Sequence, residues 1–266
     1  MKVRVLSAII MCLIGIPILI IGGLPFKIFI VILGVASSYE LLSIRKGHKE
    51  LPLFIRLLSY TIIAVFIFLG TSVYTINYEL IYKIIAALFI VYFLPVVMID
   101  DNKKYDATDA FYAIGTTMFL AIAYNSCVMI INKDLMNLIY ILLVTIMTDT
   151  FAYFTGYYIG RHKLCEKISP NKTWEGAIGG TVVATIIASI FYVMVINPEI
   201  NIFLIIGITI ILSILGQYGD LFFSSIKRHF KVKDYSNLIP GHGGILDRLD
   251  SIIFVILTYV LFMNML

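Results

Sequence analysis

The chain has 266 residues, of which 61% are hydrophobic and only 14% charged, with a mean hydropathy of +0.99. Soluble domains are about 45–50% apolar and about 25% charged, so the composition excludes a water-soluble globular enzyme and indicates a protein of the lipid bilayer. The formal net charge of +4 is small, so the positions of Lys and Arg are more informative than their sum.

Long apolar stretches recur along the chain, and each approaches the ~20 residues that a helix needs to cross a bilayer. Nine spans are predicted, at residues 5–22, 26–44, 54–76, 80–99, 109–131, 136–159, 174–196, 200–224 and 250–266. Because they are continuously apolar and do not alternate as barrel strands do, they predict an all-α, polytopic membrane protein. Residues 1–135 would form an N-terminal membrane region, and residues 136–266 a catalytic region with cytoplasmic loops at 160–173 and 225–249.

The distribution of basic residues predicts the orientation. With a cytoplasmic N-terminus, 17 of the 20 Lys and Arg residues fall on the inner side, and only Lys27, Lys83 and Lys133 on the outer side. The positive-inside rule favours this arrangement, which gives an extracytoplasmic C-terminus. The turns on the outer side are short, so we expect any chemistry in the two cytoplasmic loops.

Acidic residues flank the second loop. Asp220 falls near the inner end of a predicted span, where an ionised carboxylate is costly unless it pairs with a base such as Lys227 or binds a cation. Asp247 and Asp250 are three residues apart, which places them on one face if the last helix has begun. Carboxylate oxygens suit Mg²⁺, which typically takes one or two carboxylates with substrate phosphates and water. These acids are therefore candidates for a magnesium site.

Basic residues and glycines surround these acids. The bases are Lys227, Arg228, Lys231, Lys233 and Arg248, and the glycines are Gly241, Gly243 and Gly244. A glycine backbone can approach phosphate oxygens closely, so the set suits a nucleoside triphosphate. Two simpler interpretations stay open: the bases would bind only lipid headgroups, and His242 would only hydrogen-bond a loop carbonyl. No GxxxxGK[ST] pattern occurs, which excludes a P-loop mechanism.

The first loop and the helix before it also combine acids and bases. Asp149 lies well inside a predicted span, which favours a functional role over a salt bridge within the bundle. Ser169-Pro170, followed by Thr173 and Glu175, predicts the start of a helix, where Glu175 would complement the helix dipole. Lys172 is the residue of this segment that we expect to bind a phosphate.

The second loop resembles the signature of the CDP-diacylglycerol synthases, also called phosphatidate cytidylyltransferases. The matching positions are Ser224, Lys227, Arg228, Lys233, Asp234, Ile239, Pro240, His242, Gly243, Gly244, Asp247, Arg248 and Asp250. The helix that carries Asp149 and the segment 169–176 resemble the family as well. The N-terminal half is similar only as generic membrane helices.

The resemblance implies a nine-helix, dimeric enzyme of the cell inner or plasma membrane. It would join CTP to phosphatidic acid at the cytoplasmic face, giving CDP-diacylglycerol and pyrophosphate, with Asp220 and Asp247 holding one or two cations, Mg²⁺ among them. The implied catalytic residues are Asp220, Lys227, Arg228, Lys233, Asp234, His242, Asp247, Arg248 and Asp250. The implied substrate-binding residues are Asp149, Ser169, Lys172, Thr173, Glu175, Ser224, Gly243 and Gly244. No nucleic acid partner is expected.

Two other functions are consistent with parts of the sequence. A related lipid or polyprenol kinase would transfer the γ-phosphoryl group and release a nucleoside diphosphate. An ion-coupled transporter would use Asp149 and Asp220 as ion ligands within the membrane. Transporters often carry paired repeats and broken helices, whereas the polar residues here gather in loops at one face, which disfavours the transporter.

Overall fold

The structure is a computed structural model that describes residues 2–47, 49–69, 78–99 and 104–266. In these ranges the α-helices are α1 (Lys2–Ile21), α2 (Gly23–Ser43), α3 (Leu53–Leu69), α4 (Tyr78–Met98), α5 (Ala107–Lys133), α6 (Leu135–Ile159), α7 (Trp174–Phe191), α8 (Ile202–His229) and α9 (Leu246–Phe262). A 3₁₀ turn at Ile44–Gly47 follows α2, and a π-helical turn at Tyr192–Ile196 extends α7. The predicted all-α class is confirmed.

Five of these helices are long and apolar enough to cross a membrane: Gly23–Ser43, Ala107–Lys133, Leu135–Ile159, Trp174–Ile196 and Ile202–His229. This supports a multi-pass membrane protein. The prediction for 54–76 agrees with α3 up to Leu69, and its last residues lie outside the described ranges.

Of the two loops predicted at 160–173 and 225–249, the first has the predicted length and the second is shorter. Within 160–173 the chain forms an antiparallel hairpin of β1 (Lys163–Cys165) and β2 (Ser169–Thr173), with Cys165 opposite Ser169. The second loop loses residues at both ends, because α8 continues to His229 and α9 already begins at Leu246. Asp247 and Asp250 therefore both lie in the first turns of a helix.

The chain divides into two compact units. The first comprises Met1–Met129 together with Asp234–Leu246, and the second comprises Ile130–Lys233 together with Asp247–Leu266. The loop segment 234–246 thus packs with the N-terminal helices, although the sequence grouped it with the catalytic region.

In the first unit, α2 packs on its neighbours through small and polar residues. Gly34 lies against Ile63 and Ile67 of α3, and Ser37 shares a 2.5 Å hydrogen bond with Tyr124 of α5. Beyond the end of α2, Lys49 donates a 2.7 Å hydrogen bond to Asp106, which lowers the pKa of that carboxyl group. Small residues that admit a neighbouring helix are typical of packing within membranes.

In the second unit, α6, α7 and α8 pack closely enough to share hydrogen bonds. Thr148 of α6 and Ser213 of α8 are 2.8 Å apart, and Gln217 of α8 donates to Thr181 of α7 at 2.9 Å. A Cβ atom at Gly180 of α7 would lie 2.5 Å from the carbonyl oxygen of Thr148. The close approach of α6 and α7 therefore depends on the missing side chain at position 180.

We expect Gly180→Ala to destabilise the protein, because the new methyl group meets backbone atoms that cannot move aside cheaply. Overpacking of this kind costs about 1–3 kcal/mol. Gly207→Ala in α8 is the matched control, since a Cβ there meets nothing within 4 Å and alanine favours helices. Thermal unfolding in detergent measures both, and equal midpoints for the two variants would contradict the prediction.

Candidate active site

The last turns of α8 present a row of polar side chains on one helix face. Asp220, Ser224 and Lys227 are spaced four and three residues apart, so they follow one another along that face. The Ser224 hydroxyl donates to Asp220 Oδ1 at 3.2 Å. This row lies where α8 changes from an apolar span into the basic segment that ends in Lys227-Arg228-His229.

Asp220 pairs with Lys172 of β2. The Nζ to Oδ2 distance is 2.5 Å, and the two side chains are 27% and 29% exposed, so the pair remains partly in contact with solvent. The sequence suggested Lys227 as the partner of Asp220. In the structure the partner is Lys172, which lies on the second strand of the hairpin.

Lys227 pairs with Asp247 in the first turn of α9. Its Nζ lies 2.6 Å from Oδ1, and the side chains are only 10% and 3% exposed. Two opposite charges are therefore removed from water together, and each depends on the other. The pair joins the end of α8 to the start of α9.

Three carboxylates converge in the second unit. Asp250 of α9 interacts electrostatically with Asp220 and with Asp149 of α6, and Asp149 also interacts with Lys172. Like charges that interact in this way repel one another, and Lys172 is the positive charge that offsets part of this repulsion at Asp149. The structure thus brings together acids from three helices that are far apart in sequence.

The hairpin is held by the start of α7. Thr173 is the N-cap, and its hydroxyl accepts the N–H of Gly176 at 3.1 Å. Glu175 accepts the backbone N–H groups of Arg161 and His162 and lies 2.6 Å from His162 Nδ1. The predicted helix start is therefore confirmed. Thr173 and Glu175 fix the strand on which Lys172 is carried.

The remaining predicted site residues are distributed over both units. Arg228 is exposed and donates to the carbonyl oxygens of Ile168 and Val232, while Lys233 and Arg248 are also exposed. Ser169 is part of β2. Asp234, His242, Gly243 and Gly244 belong to the first unit, where the His242 ring bonds the Ser7 hydroxyl at 2.7 Å. The sequence had suggested a carbonyl as the partner of that ring.

The sequence profile of the cytidylyltransferase family matches residues 2–266. The chain belongs to this family. It is 38% identical to the phosphatidate cytidylyltransferase of Staphylococcus haemolyticus over 257 residues, which cover 96% of each chain. It is 36% identical to that of Bacillus subtilis over 260 residues, covering 96% of this chain and 94% of the relative. The enzyme of Staphylococcus aureus strain COL is 38% identical over 96% of both chains.

Membership of the cytidylyltransferase family raises the question of a metal ion. Among the residues that the structure describes, no three His, Cys, Asp or Glu side chains are arranged to hold one. Asp220 and Asp247 offer hard oxygen ligands, but each is engaged by a lysine. This donor set fits a Mg²⁺ ion that completes its coordination with substrate phosphates. It does not form a cage for a resident ion.

Sequence reasoning missed the buried acid Glu40 of α2. Its side chain is fully buried, and its carboxylate accepts hydrogen bonds from the segment 236–246. The available signal was an acidic residue inside the predicted span 26–44, where ionisable side chains are rare. The resemblance was confined to the C-terminal half and gave no reason to examine this position.

An apolar cavity of about 860 Å³ lies along α7 and α8 in the second unit. Trp174, Ile178 and Ile186 line it from α7, and Ile210 and Tyr218 from α8. Gln217 and Leu221 also line it and lie beside Asp220 in the sequence, so one end of the cavity adjoins the row of polar residues on α8.

Proposed function

We propose that this protein is a phosphatidate cytidylyltransferase, which transfers CMP from CTP to phosphatidic acid and produces CDP-diacylglycerol and pyrophosphate. One observation carries this proposal: in a member of the cytidylyltransferase family, two carboxylate and lysine pairs, Asp220 with Lys172 and Asp247 with Lys227, join the last turns of α8 to β2 and to the first turn of α9. A site at helix ends can receive a dissolved nucleotide and a lipid anchored in the leaflet.

The two lysines act as counterions that the triphosphate can replace. In the structure each ammonium group neutralises an aspartate; when CTP binds, the same groups contact phosphate oxygens, and Asp220 and Asp247 become available as metal ligands. A bound Mg²⁺ would neutralise charge on the triphosphate and on the departing pyrophosphate. Arg228 and Lys233 add positive charge at the exposed edge of the site.

Transfer itself requires mainly positioning. A phosphate oxygen of phosphatidic acid attacks the α-phosphorus of CTP, the bond from that phosphorus to the bridging oxygen breaks, and pyrophosphate leaves with the electron pair. Phosphate monoesters have a second pKa of about 6, so the nucleophile is ionised at neutral pH without a strong base. No covalent enzyme intermediate is needed.

The apolar cavity along α7 and α8 is suited to the acyl part of the lipid. Its walls are almost entirely apolar, and its end near Gln217 and Leu221 adjoins Asp220 on α8. A lipid whose chains occupy this cavity would hold its phosphate near Lys172. This placement supports a lipid acceptor over a soluble one.

The membrane arrangement extends the proposal. We infer nine crossings with the N-terminus in the cytoplasm and the C-terminus outside, since 17 of 20 Lys and Arg residues then lie on the inner side. The site would face the cytoplasm from the cell inner membrane, where CTP is made available. The dimer implied by the family resemblance stays a prediction.

The expected result of the direct test is pyrophosphate release from CTP alone. Purified protein in detergent receives phosphatidic acid and Mg²⁺ with CTP, ATP, GTP or UTP in turn, and pyrophosphate and nucleoside diphosphate are both measured. Release should require the lipid and stop on addition of EDTA, because EDTA would remove the Mg²⁺ that the proposal places on Asp220, Asp247 and the substrate phosphates. CDP-diacylglycerol should appear in equal amount.

Two results would contradict the proposal. Formation of a nucleoside diphosphate with phosphorylated lipid would indicate a lipid kinase. No turnover of any nucleotide by folded protein would favour the ion-coupled transporter, to be tested by ion flux in liposomes.

A further inference from the structure

Glu40 is a charged side chain enclosed within the first unit. It lies on α2, three residues before the helix ends at Ser43, and none of its surface is exposed. An ionised carboxylate in such a place is costly unless its oxygens are fully hydrogen-bonded. Its partners therefore show what the residue does.

Both carboxylate oxygens of Glu40 bind the segment 236–246. Oε1 accepts the Ser236 hydroxyl at 2.6 Å and the backbone N–H of Ile245 at 2.8 Å. Oε2 accepts the backbone N–H of Leu246 at 2.8 Å. Hydrogen bonds to an ionised acceptor are about twice as strong as neutral ones, so one side chain holds both ends of the segment.

The segment is shaped to admit this carboxylate. Ile239 and Gly243 form an antiparallel bridge that closes a tight turn, in which Gly241 and Gly243 have φ angles of 77° and 87°. At Gly244 a Cβ atom would lie 2.5 Å from Glu40 Oε1 and 2.7 Å from Oε2. A side chain at 244 would therefore force the Glu40 carboxylate or the segment to shift, independently of any approach to a phosphate.

The same contacts fix the start of α9. Leu246 is the first residue of that helix, and the first N–H groups of a helix have no partners within it. A carboxylate at this end binds those groups and interacts favourably with the helix dipole. Asp247 and Asp250 follow in the first turns of α9, so the direction in which the helix begins governs where these acids point.

We propose that Glu40 is a positioning residue of the transferase reaction, whose buried carboxylate holds the segment 236–246 and the first turn of α9 in the conformation that the site requires. The inference rests on the proposed function. It assigns a role to a residue in the N-terminal half of the chain, whereas the row of polar residues on α8 lies in the C-terminal half. Glu40 acts through the segment and through Asp247 and does not touch the substrates.

The test compares Glu40→Gln, Glu40→Ala, Gly244→Ala and the double variant Glu40→Ala/Gly244→Ala with a matched control, Asp109→Asn. Asp109 is also fully buried in the first unit, but the basic residues with which it pairs are Arg45 and Lys49, outside the segment. For each purified protein, kcat, the KM for CTP and the thermal midpoint are measured. Hydrogen exchange of peptides covering 236–246 is followed in the absence of substrates.

We expect kcat of Glu40→Gln to fall by about 10- to 100-fold, the size of effect that a displacement of about 1 Å produces, at a thermal midpoint no lower than that of Asp109→Asn. Gly244→Ala should cause a similar loss, because its methyl group pushes the segment away from the carboxylate. In the double variant the second change should add little, since the atoms it would meet are gone. Exchange over 236–246 should rise in the Glu40 and Gly244 variants only.

The inference would be overturned if the Glu40 variants kept the kcat and KM of the unsubstituted protein. It would also be overturned if activity followed the thermal midpoint alike in Glu40→Gln and Asp109→Asn, or if the two single changes were additive. Absence of CTP turnover in the unsubstituted protein would contradict the proposed function instead. The exchange measurement needs no substrate, so it still tests whether Glu40 holds the segment.

Discussion

Asp220→Asn is expected to abolish pyrophosphate release from CTP while the protein still folds and inserts. Asparagine keeps the size of the side chain and can still accept from the Ser224 hydroxyl, but it removes the charge that Lys172 now neutralises. A neutral amide is also a poor ligand for Mg²⁺ beside substrate phosphates. Loss of a preorganised electrostatic group of this kind typically costs about 10²–10³-fold in kcat.

The measurement is pyrophosphate release across a range of Mg²⁺ concentrations, with thermal unfolding as the test of folding. Asp134→Asn is the matched control: Asp134 is in the same unit, caps α6 through Met136, and asparagine caps equally well. Asp134→Asn should therefore keep both activity and stability. Near-normal activity of purified Asp220→Asn would show that the reaction does not need the Asp220 carboxylate, and it would contradict the proposed metal ligation.

Lys227→Met is expected to lose both activity and stability. Its partner Asp247 has a side chain that is only 3% exposed, so the substitution leaves a buried carboxylate without the ammonium group 2.6 Å away. Breaking a buried pair from one side costs about 3–5 kcal/mol. The unfolding midpoint in detergent should therefore fall well below that of the unsubstituted protein.

Two further variants separate charge from packing. Adding Asp247→Asn to Lys227→Met should recover much of the stability, because no charge then remains buried, but it should recover no activity. Lys172→Met should lose activity with little loss of stability, since the Lys172 and Asp220 side chains are 27% and 29% exposed and such pairs contribute about 0–1 kcal/mol. Equal stability of Lys172→Met and Lys227→Met would contradict the burial argument.

The helices of this protein were predictable from the sequence because a bilayer sets their length and apolar character. The predicted span 136–159 differs from α6 by one residue at its start. The predicted helix boundaries were wrong where the helix ends are polar. α8 extends past 224 and α9 begins before 250, because these ends continue beyond the apolar spans. The hairpin Lys163–Thr173 gave no apolar signal, because its strands are short and largely polar.

The candidate site was also predictable from the sequence only in part. Residue types and spacing singled out Asp220, Lys227, Asp247 and Lys172, and the structure brings these four residues together in two pairs. Which acid meets which base was not predictable: a base such as Lys227 was one alternative for Asp220, whereas its partner in the structure is Lys172 of the hairpin. Pairing depends on where separate elements meet, which local spacing does not specify.

The sequence by itself determined that this chain is a helical membrane enzyme of the cytidylyltransferase family, because its composition indicates a lipid environment and the spacing of polar residues in the second loop resembles the family signature. Only the tertiary structure revealed the hydrogen bonds of Glu40 to Ile245 and Leu246, from which it is separated by some 200 residues of chain. The physical reason is that the hydrogen-bond partners of a buried carboxylate depend on which segments pack against it in the folded chain. The close approach of Glu40 to Gly244 is likewise visible only in the structure.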